Sequence, residues 1–299
     1  MKVCTFIERG EPHAKPRLGL VEGETVVGLG EGSSLTSVLS GAQGPIEVLK
    51  RGREVPIADA LLFAPLKPGK IVATIVNTRA MLGGDDVVLT RPRLDMKAPS
   101  TVIGPGQLIL APESGIRPEV ELAAVVGSTI RKATPSEAKR SIFGFTILND
   151  VTTPSDSKED AYDAYRRSPE TGAIAKMRMR GPLFRSKNHD TFCPMGPWVV
   201  TPDELGDLSS RRMTTRFEGS LVQDGSTSEY IFSPHEIAAF VSGFLTLEPG
   251  DVVSCGSVGW SREAVGDLDP TEFILEGRRG DLDLEIEGIG KLTNPVAPA

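Results

Sequence analysis

Two glutamates separated by a single residue, Glu119 and Glu121, come directly before the apolar run at residues 122–127. Side chains on a β-strand alternate between its two faces, so both carboxylates are expected on the same face. Two carboxylates side by side repel each other unless a cation or a proton lies between them. The pair is therefore a candidate metal site. The alternative is a solvent-facing pair at the edge of a strand, since glutamate is usually exposed.

A third carboxylate, Asp150, ends another apolar and β-rich run at residues 142–149. At the tip of a buried strand it would be a suitable third ligand for a hard cation. An all-oxygen set of this kind suits Mg²⁺, Mn²⁺ or Ca²⁺ and argues against zinc. The alternative is that Asp150 belongs to a loop or caps a helix, and the residue pattern alone leaves both interpretations open.

The cysteines indicate neither a zinc site nor a disulfide framework. Cys4, Cys193 and Cys255 lie far apart, and the chain has no Cys-x-x-Cys pair or Cys/His ligand spacing. An odd and sparse cysteine count is typical of a reducing compartment. No histidine in the sequence is a plausible partner for Cys255, so we expect a buried strand cysteine and not a nucleophile.

Composition limits the classes of function. The 299 residues are 39% hydrophobic and 24% charged, which favours a folded chain of one or two domains. A net charge of −7 without a basic stripe argues against nucleic acid or an anionic membrane as a partner. No apolar segment is long enough to span a bilayer, and the first residues lack the pattern of a signal peptide. We therefore expect a cytoplasmic protein.

The elements that position these residues are predicted to form two domains. Residues 1–65 are expected to be a small N-terminal α+β domain, with a hairpin at the Glu22-Gly-Glu24 turn and short helices near residues 35–39 and 46–50. A proline- and glycine-rich segment then precedes a catalytic domain at residues 66–299, which is rich in strands. The chain is therefore predicted to be mixed α/β and predominantly β.

Three helix starts share one capping pattern, in which a hydroxyl residue is followed by proline and, three residues after the cap, by glutamate. The hydroxyl residues are Thr134, Thr201 and Ser233. In addition, the segment Gln223-Asp-Gly-Ser226 predicts a hairpin turn between strands at residues 217–222 and 229–232.

Six segments of the sequence form an ordered pattern. They are Lys97-Ala-Pro-Ser-Thr-Val-Ile-Gly-Pro-Gly106, Pro118-Glu-Val-Glu-Leu-Ala-Ala-Val-Val-Gly127, Phe143-Gly-Phe-Thr-Ile-Leu-Asn-Asp-Val-Thr152, Lys187-Asn-His-Asp-Thr-Phe-Cys-Pro-Met-Gly-Pro-Trp198, Leu247-Glu-Pro-Gly-Asp251 and Ile286-Glu-Gly-Ile-Gly-Lys-Leu-Thr-Asn-Pro-Val296. Each would be weak alone. In this order and at about the family's spacing, they make the chain resemble the fumarylacetoacetate hydrolase family across most of residues 65–296.

The resemblance implies a mixed β-roll as the catalytic core, usually in a homodimer, with one Mg²⁺ or Mn²⁺ held by Glu119, Glu121 and Asp150. It also implies catalytic roles for two further residues. Lys187 matches a lysine that lies near the metal and the carboxylate or enolate oxygen of the substrate. Ser257 stands in the place of a threonine that hydrogen-bonds the substrate carboxylate, and it retains the hydroxyl.

One family feature is missing. Family hydrolases carry an Asn-Tyr-x-x-His-x-x-Glu segment, whose histidine and glutamate lie on a mobile lid and activate the attacking water. This chain has Met81 and Gly84 in those two places, and neither side chain can transfer a proton. The candidates for a replacement base are Asp85, Asp86 and His189. The segment between the third metal ligand and the family lysine is also longer than in shorter relatives.

Other polar residues carry weaker predictions. His189 lies two residues after Lys187 and is a candidate substrate contact, as is Arg79 in the lid segment, although a solvated arginine is the alternative. His13 is expected in a solvated loop. His235 is expected to have a structural role in a capped helix.

Three functions remain open at this point. The first is a metal-dependent enzyme that acts on a 2-oxo acid or 1,3-dicarbonyl carboxylate through a metal-stabilised enolate. Carbon–carbon bond hydrolysis is the commonest reaction of the family, and a lyase, dehydratase, decarboxylase or tautomerase is the alternative because the lid pair is absent. The second is a hydrolase with a relocated base, and the third is an inactive binding homologue. Retention of the three acidic residues and Lys187 argues against the third.

Overall fold

A computed structural model of the chain describes residues 1–11, 13–82, 86–261 and 274–299, and most of its regular structure is β-strand. No helix in these ranges is long and apolar enough to cross a lipid bilayer. In chain order, the strands are β1 (Lys2–Glu8), β2 (Arg17–Glu22), β3 (Thr25–Leu29), β4 (Arg51–Pro56), β5 (Ala60–Phe63), β6 (Ile71–Val76), β7 (Arg93–Lys97), β8 (Val102–Ile103), β9 (Ile109–Ala111), β10 (Val120–Val126), β11 (Ile142–Asn149), β12 (Tyr162–Arg167), β13 (Ile174–Met179), β14 (Cys193–Val200), β15 (Arg212–Phe217), β16 (Ser220–Ser226), β17 (Val252–Ser257), β18 (Gly280–Ile286) and β19 (Gly290–Pro298). The α-helices are α1 (Leu35–Leu39), α2 (Pro135–Ser141), α3 (Pro154–Glu159), α4 (Phe184–Lys187), α5 (Pro202–Leu205) and α6 (Pro234–Ser242).

The strands form three sheets within the described ranges. The largest has twelve strands in the order β4-β3-β2-β1-β14-β11-β10-β17-β6-β7, with β5 paired to β1 and β8 to β14. A five-stranded sheet has the order β16-β15-β18-β19-β9, and β12 and β13 form a separate hairpin. The prediction of a mixed α/β and predominantly β chain is confirmed.

Strand β10 lies in the middle of the large sheet and every one of its residues is buried. Leu122 and Ala124 on one face join a core shared with Leu284 and Leu292 of the five-stranded sheet. Ala123 and Val125 on the other face join a second apolar cluster. Because both faces are covered by protein, the strand has a continuous apolar sequence without the alternation of a half-exposed strand.

The N-terminal segment shares its sheet with the rest of the chain. Strand β1 pairs with β14 through Lys2 opposite Val200 and Val3 opposite Val199. The predicted hairpin between β2 and β3 is present, as is the predicted helix α1, and the segment near residue 46 forms one short 3₁₀ turn. The boundary at residue 65 therefore lies within a continuous hydrogen-bonded sheet, and the division into two domains stays a prediction.

Two of the three predicted helix caps form as expected. The hydroxyls of Thr134 and Ser233 accept hydrogen bonds from the backbone of Glu137 and Glu236, and both glutamates reach back to the cap residue. Helix α5 begins after Thr201, but that hydroxyl makes no cap bond. It lies against the amino group of Met1 instead, so a tertiary contact replaces the local one.

The predicted hairpin at residues 223–226 is wrong, because these residues lie inside β16 and close no turn. The turn lies earlier, at Glu218 and Gly219, which both have positive φ and join β15 to β16. Gly225 is needed where it stands, because a Cβ there would lie 2.6 Å from Cβ of Val258. The glycine therefore marks a close approach between β16 and Val258, the residue after β17, and not a turn.

Candidate functional site

The three carboxylates predicted as metal ligands come together at one end of two neighbouring strands. Strands β10 and β11 are antiparallel, with Val120 opposite Asn149. Glu119 and Asp150, the next residues outward on each strand, therefore lie beside each other. The backbone N–H of Asp150 donates to the carbonyl of Glu119 at 2.9 Å. Carboxylate oxygens of Glu119, Glu121 and Asp150 all lie within 4.8 Å of one another. The strand period thus positions these side chains as the sequence indicates.

These carboxylates are buried, and burial changes their pKa values in different directions. Burial, followed by repulsion from Asp150 and Glu119, raises the pKa of Glu121 to about 8. Burial alone would also raise the pKa of Asp150, but the ammonium groups of Lys187 and Lys97 lower it to about 2. Burial alone would lower the pKa of Lys187, but Asp150 and Glu119 raise it well above its ordinary value.

Two lysines bind Asp150 from opposite sides. Nζ of Lys187 lies 2.5 Å from Oδ2 of Asp150 and 3.3 Å from Oε2 of Glu119, and it donates to the hydroxyl of Thr152 at 3.0 Å. Nζ of Lys97 lies 2.7 Å from Oδ1 of Asp150 and donates to the carbonyl of Lys187, also at 2.7 Å. Both ammonium groups are therefore held by the acidic cluster.

Glu121 differs from the other two carboxylates because no lysine or arginine among the described residues forms an ion pair with it. Its Oε2 accepts hydrogen bonds from the hydroxyl of Ser254 at 2.5 Å and from the backbone N–H of Gly256 at 3.1 Å. Glu119, in contrast, also accepts from Nε of Arg117 at 3.0 Å. A buried carboxylate without a charged partner and with a raised pKa is suited to a cation. Three converging carboxylates are the donor set that a hard divalent ion requires, so these residues fit Mg²⁺ or Mn²⁺.

A cavity of about 750 Å³ opens beside this cluster and is lined by Glu119, Thr152 and Lys187. Its volume lies in the range typical of small-molecule sites. Ala80, Met81 and Trp260 contribute apolar walls. The three buried carboxylates therefore form a cluster suited to a cation. This cluster borders a ligand-sized cavity, and Lys187 lies where the two meet.

Ser257 lies next to the carboxylates but its hydroxyl already has partners. It stands opposite Glu121 in the pairing of β10 with β17. Its Oγ donates to the carbonyl of Val120 at 3.1 Å and accepts from Nε2 of Gln223 at 2.9 Å, and the residue is buried. The predicted contact of Ser257 with a substrate carboxylate stays a prediction.

The structure does not bring the other two predicted substrate contacts into the cavity wall. Arg79 is exposed and does not line the cavity. Nε2 of His189 lies 2.6 Å from Oδ2 of the buried Asp156, and its ring packs on Phe192. The reason is local, since Asp156 on α3 offers the imidazole a buried acceptor away from the cavity. The roles of both residues as substrate contacts stay predictions.

In its described part, the lid segment contributes small and apolar side chains to the cavity. Ala80 and Met81 line it, whereas Asp86 is exposed and does not. Gly84 and Asp85 lie outside the described residues. Among the described residues that line the cavity there is no histidine.

The remaining histidines and the cysteine near the site have structural surroundings. His13 is exposed, and His235 stands in the first turn of α6, where burial lowers its pKa. Cys255 is fully buried on β17, and burial strongly raises the pKa of its thiol. A thiol of this kind is not a nucleophile.

Sequence reasoning missed four residues that complete the site: Lys97, Arg117, Gln223 and Ser254. Lys97 stands at the end of a β-rich run, where a buried lysine could have been suspected. Arg117 lies two residues before Glu119, so its position beside the predicted ligands was the available signal. Gln223 and Ser254 contact Ser257 and Glu121 through pairings between distant parts of the chain, and their sequence neighbourhoods carry no such signal. Gln223 even belongs to the segment that was predicted as a turn.

Comparisons with known proteins show which family and which solved fold this chain resembles. Residues 69–297 match the family model described as fumarylacetoacetate (FAA) hydrolase, C-terminal. A 2,4-didehydro-3-deoxy-L-rhamnonate hydrolase of Sphingomonas sp. is 31% identical over 99% of this chain and 96% of its own length. The mitochondrial oxaloacetate tautomerase FAHD2B of Bos taurus is 29% identical over 95% of this chain and 89% of its own. The solved structure of a fumarylacetoacetate hydrolase from Exiguobacterium antarcticum is similar with a TM-score of 0.76 and 28% identity, covering 100% of both chains.

Proposed function

Because this chain belongs to the fumarylacetoacetate hydrolase family, whose members are hydrolases and isomerases, we propose that it is a divalent-metal-dependent enzyme acting on a small 2-oxo acid or 1,3-dicarbonyl carboxylate. The observation that carries the proposal is the buried convergence of Glu119, Glu121 and Asp150 beside the cavity. An inactive binding homologue would not need to maintain three buried carboxylates, which are costly unless they are compensated.

Glu119, Glu121 and Asp150 would hold the ion. A bound Mg²⁺ or Mn²⁺ would act as a Lewis acid on the carbonyl oxygen of the substrate. Lys187 lines the cavity, and its ammonium can donate to an anionic oxygen of a ligand there in exchange for its bond to the hydroxyl of Thr152. Lys97 has no such access, because it is fully buried, and its role is to hold Asp150 ionised.

Two reaction types remain for this site, and the cavity wall favours one of them. Hydrolysis of a carbon–carbon bond is common in the family, but it needs a base to activate water. The described part of the cavity wall has no histidine, and Met81 takes the place where the family base is expected. We therefore favour a tautomerase, decarboxylase or other lyase reaction of a 2-oxo acid, which needs no activated water. Decarboxylation breaks the bond to the carboxylate without prior removal of a proton. In a tautomerisation, the proton on the carbon beside the carbonyl would be made more acidic by the divalent ion, and this proton would exchange with solvent in the cavity.

The test is turnover with and without metal on three classes of substrate. Oxaloacetate is followed for tautomerisation and decarboxylation, acetylpyruvate for hydrolysis, and a 2-oxo-3-deoxy sugar acid for cleavage or dehydration. We expect metal-dependent turnover in at least one class, removed by EDTA and reduced by about 100-fold or more in Glu121→Gln.

The matched control is Asp251→Asn, which removes a buried carboxylate paired with Lys70 outside the site. Asp251→Asn should retain turnover at the same metal concentration. Free metal ions can also promote the reaction, and subtracting the rate of Glu121→Gln from the rate of the wild type removes this contribution. If no substrate class is turned over with either metal, or if Glu121→Gln is as active as the wild type, the proposed function is wrong.

The resemblance to the family also leads us to propose a homodimer that works in the cytoplasm. Light scattering should give a mass of about 64 kDa, twice the chain mass of 31.9 kDa. A mass of one chain at micromolar concentration would contradict the dimer.

A further inference from the structure

The β12–β13 hairpin forms part of the cavity wall. It lies in the chain between α3 and α4, and its two strands pair only with each other among the described strands. Three consecutive residues at its end, Arg178, Met179 and Arg180, line the cavity. The hairpin therefore places two arginines in the wall of a cavity whose lining also includes Glu119 of the acidic cluster.

The base of the hairpin is fixed against α3. The backbone N–H of Gly181 donates to the carbonyl of Ser157 at 3.2 Å. A Cβ at residue 181 would lie 2.6 Å from Cβ of Asp160, so only glycine allows this approach. Arg185, just beyond it, binds Asp156 at 3.0 Å and Asp160 at 2.8 Å. These contacts set the direction in which the two arginines leave the base.

The charge of the cavity wall is opposite to that of the whole chain. The chain has a net charge of −7, yet the described residues that line the cavity include five cationic side chains and one carboxylate, Glu119. The cationic residues are Arg117, Lys158, Arg178, Arg180 and Lys187. A concave surface of one sign concentrates ligands of the other sign.

Not all of these cations are equally available to a ligand. Lys187 and Arg117 already bind the carboxylates of the acidic cluster. Arg178 forms an ion pair with Asp163 at 3.3 Å, but Lys176 holds the same carboxylate at 3.0 Å and can keep it. Arg180 has no hydrogen bond or ion pair with any described residue. The side chain of Lys158 on α3 likewise has no hydrogen bond or ion pair with any described residue. Arg178 and Arg180 differ from it because both carry a planar guanidinium and lie two residues apart on one hairpin.

We propose that Arg178 and Arg180 form a subsite for a second anionic group of the substrate, a carboxylate or a phosphate. The inference rests on the proposed function, in which the acidic cluster and Lys187 receive the 2-oxo acid end. The planar guanidinium fork can bind either anion through two parallel hydrogen bonds. The substrate class is therefore a 2-oxo acid that carries a further acidic group along its chain.

The test is calorimetric binding to the Mn²⁺-loaded protein with matched ligands. 2-Oxoadipate is compared with 2-oxohexanoate, which has the same carbon chain without the second carboxylate. 2-Oxo-3-deoxygluconate 6-phosphate is compared with the unphosphorylated sugar acid. We expect a preference of about tenfold for the dianionic member of at least one pair, and the pair that shows it distinguishes carboxylate from phosphate.

Variants assign the preference to the hairpin. Arg178→Gln with Arg180→Gln should reduce it to less than about threefold, while affinity for the monoanionic ligand stays the same. Arg178→Lys with Arg180→Lys should keep most of it, because the charge is retained. The matched control is Arg166→Gln with Arg167→Gln, which removes two charges from the same hairpin, none of them from the cavity wall, and leaves the pair of Lys176 with Asp163 in place. This control should keep the full preference.

Binding of oxalate separates the proposed function from the proposed subsite, because oxalate is small enough to bind through the metal and its surroundings alone. If oxalate binds only in the presence of Mn²⁺ but neither ligand pair shows a preference, the subsite is overturned and the proposed function stands. The subsite is also overturned if the control variant loses the preference as much as Arg178→Gln with Arg180→Gln. If oxalate does not bind, both proposals fail.

Discussion

At the scale of single residues, the three carboxylates of the site are distinguished by their partners. Asp150 has two ammonium groups, Glu119 has an ammonium and a guanidinium, and Glu121 has only neutral donors. A divalent ion would add positive charge where the protein supplies least of it. Glu121 is therefore the residue whose properties report most directly on metal binding.

The first prediction is that Mn²⁺ or Mg²⁺ raises the melting temperature of the wild type. Binding to the folded state alone stabilises it by mass action, by about 2.7 kcal/mol at a metal concentration of 100 times Kd. For a chain of 299 residues that is roughly 4 °C. Differential scanning fluorimetry measures the shift, which should be lost in Glu119→Gln and Glu121→Gln.

These variants keep the shape and hydrogen-bonding oxygen of the side chain, so they separate loss of the ligand from loss of the fold. Asp251→Asn is again the matched control. Its melting temperature without metal can be lower than that of the wild type, but metal should raise it by the same amount. A metal-induced shift of wild-type size in both glutamine variants would mean that the ligand assignment is incorrect.

The second prediction concerns the pH dependence of stability without metal. The pKa of Glu121 is raised from 4.5 to about 8, so the folded protein holds a proton that the unfolded chain has released between these values. Stability from this group is therefore lost as the pH rises through that window. In EDTA, the free energy of unfolding should fall by about 2 kcal/mol more in the wild type than in Glu121→Gln between about pH 6 and about pH 8.

Urea unfolding at a series of pH values measures this difference, and subtracting the variant cancels the titration of histidines. Asp150 does not contribute in this window, because its pKa is lowered to about 2. Saturating Mn²⁺ should flatten the wild-type curve, since the ion competes with the proton. Parallel curves for wild type and Glu121→Gln in EDTA would show that Glu121 is ionised in the folded protein.

The sequence contains enough information for part of this site. Glu119 and Glu121 are predictable because a strand has a period of two, and Asp150 because it ends a second apolar run. Except for Arg117, two residues before Glu119, the partners are not predictable from local pattern. Lys97 reaches Asp150 across 53 residues and Gln223 reaches Ser257 across 34. Only the order of strands in the sheet decides such contacts.

At the scale of elements, sequence signals predicted correctly those helix ends that are fixed by contacts between residues close in the chain. The capping boxes at Thr134 and Ser233 form, because both partners are three residues apart. Thr201 carries the same signal, but its hydroxyl contacts Met1, which is 200 residues away. The Asp-Gly pair at residue 225 failed for a related reason, since packing against Val258 needs the glycine inside a strand.

The third prediction concerns the lid segment after β6. Because Ala80 and Met81 line the cavity and cannot transfer a proton, acetylpyruvate should be hydrolysed slowly or not at all. A general base contributes on the order of 10²–10⁴-fold, and that factor should be missing. Steady-state assays should detect tautomerisation, decarboxylation or dehydration of a 2-oxo acid under conditions in which hydrolysis stays below this level.

Restoring the missing pair as Met81→His with Gly84→Glu should raise hydrolysis if the lid can close as in family hydrolases. Met81→Leu, which keeps an apolar side chain, is the control and should leave all rates near those of the wild type. Efficient hydrolysis by the wild type, with kcat/KM of about 10⁴ M⁻¹s⁻¹ or more, would mean that another residue is the base. Asp85, Asp86 and His189 would then be the first to replace.

At the scale of the whole molecule, the two predicted domains share a hydrophobic core. One buried cluster contains Val3, Leu18 and Leu35 from the N-terminal segment together with Leu148 and Val252 from the rest of the chain. The backbone pairing of β1 with β14 crosses the same boundary. Hydrogen bonds and apolar contacts therefore couple the two parts, although the sequence between them has the composition of a linker.

The last prediction is that the full chain unfolds in one cooperative transition. If the shared cluster couples both parts, circular dichroism and tryptophan fluorescence should report the same midpoint in urea. Trp198 is a suitable probe, because it lies on β14 and contacts Lys2 across the boundary. A chain of residues 66–299 should aggregate or lack a sharp transition, since it exposes the edge of β14 and its apolar neighbours.

Truncation alone can fail for trivial reasons, so paired core variants make the test sharper. Val3→Ala and Val252→Ala each remove two methyl groups from the same fully buried cluster, one on either side of the boundary. Each should lower the free energy of unfolding by about 1–3 kcal/mol through lost burial and the cavity left behind. Under coupling, both variants move the single midpoint seen by both probes. If Val3→Ala shifts one of two separate transitions and Val252→Ala shifts the other, the N-terminal segment is an independent domain and the shared core does not couple them.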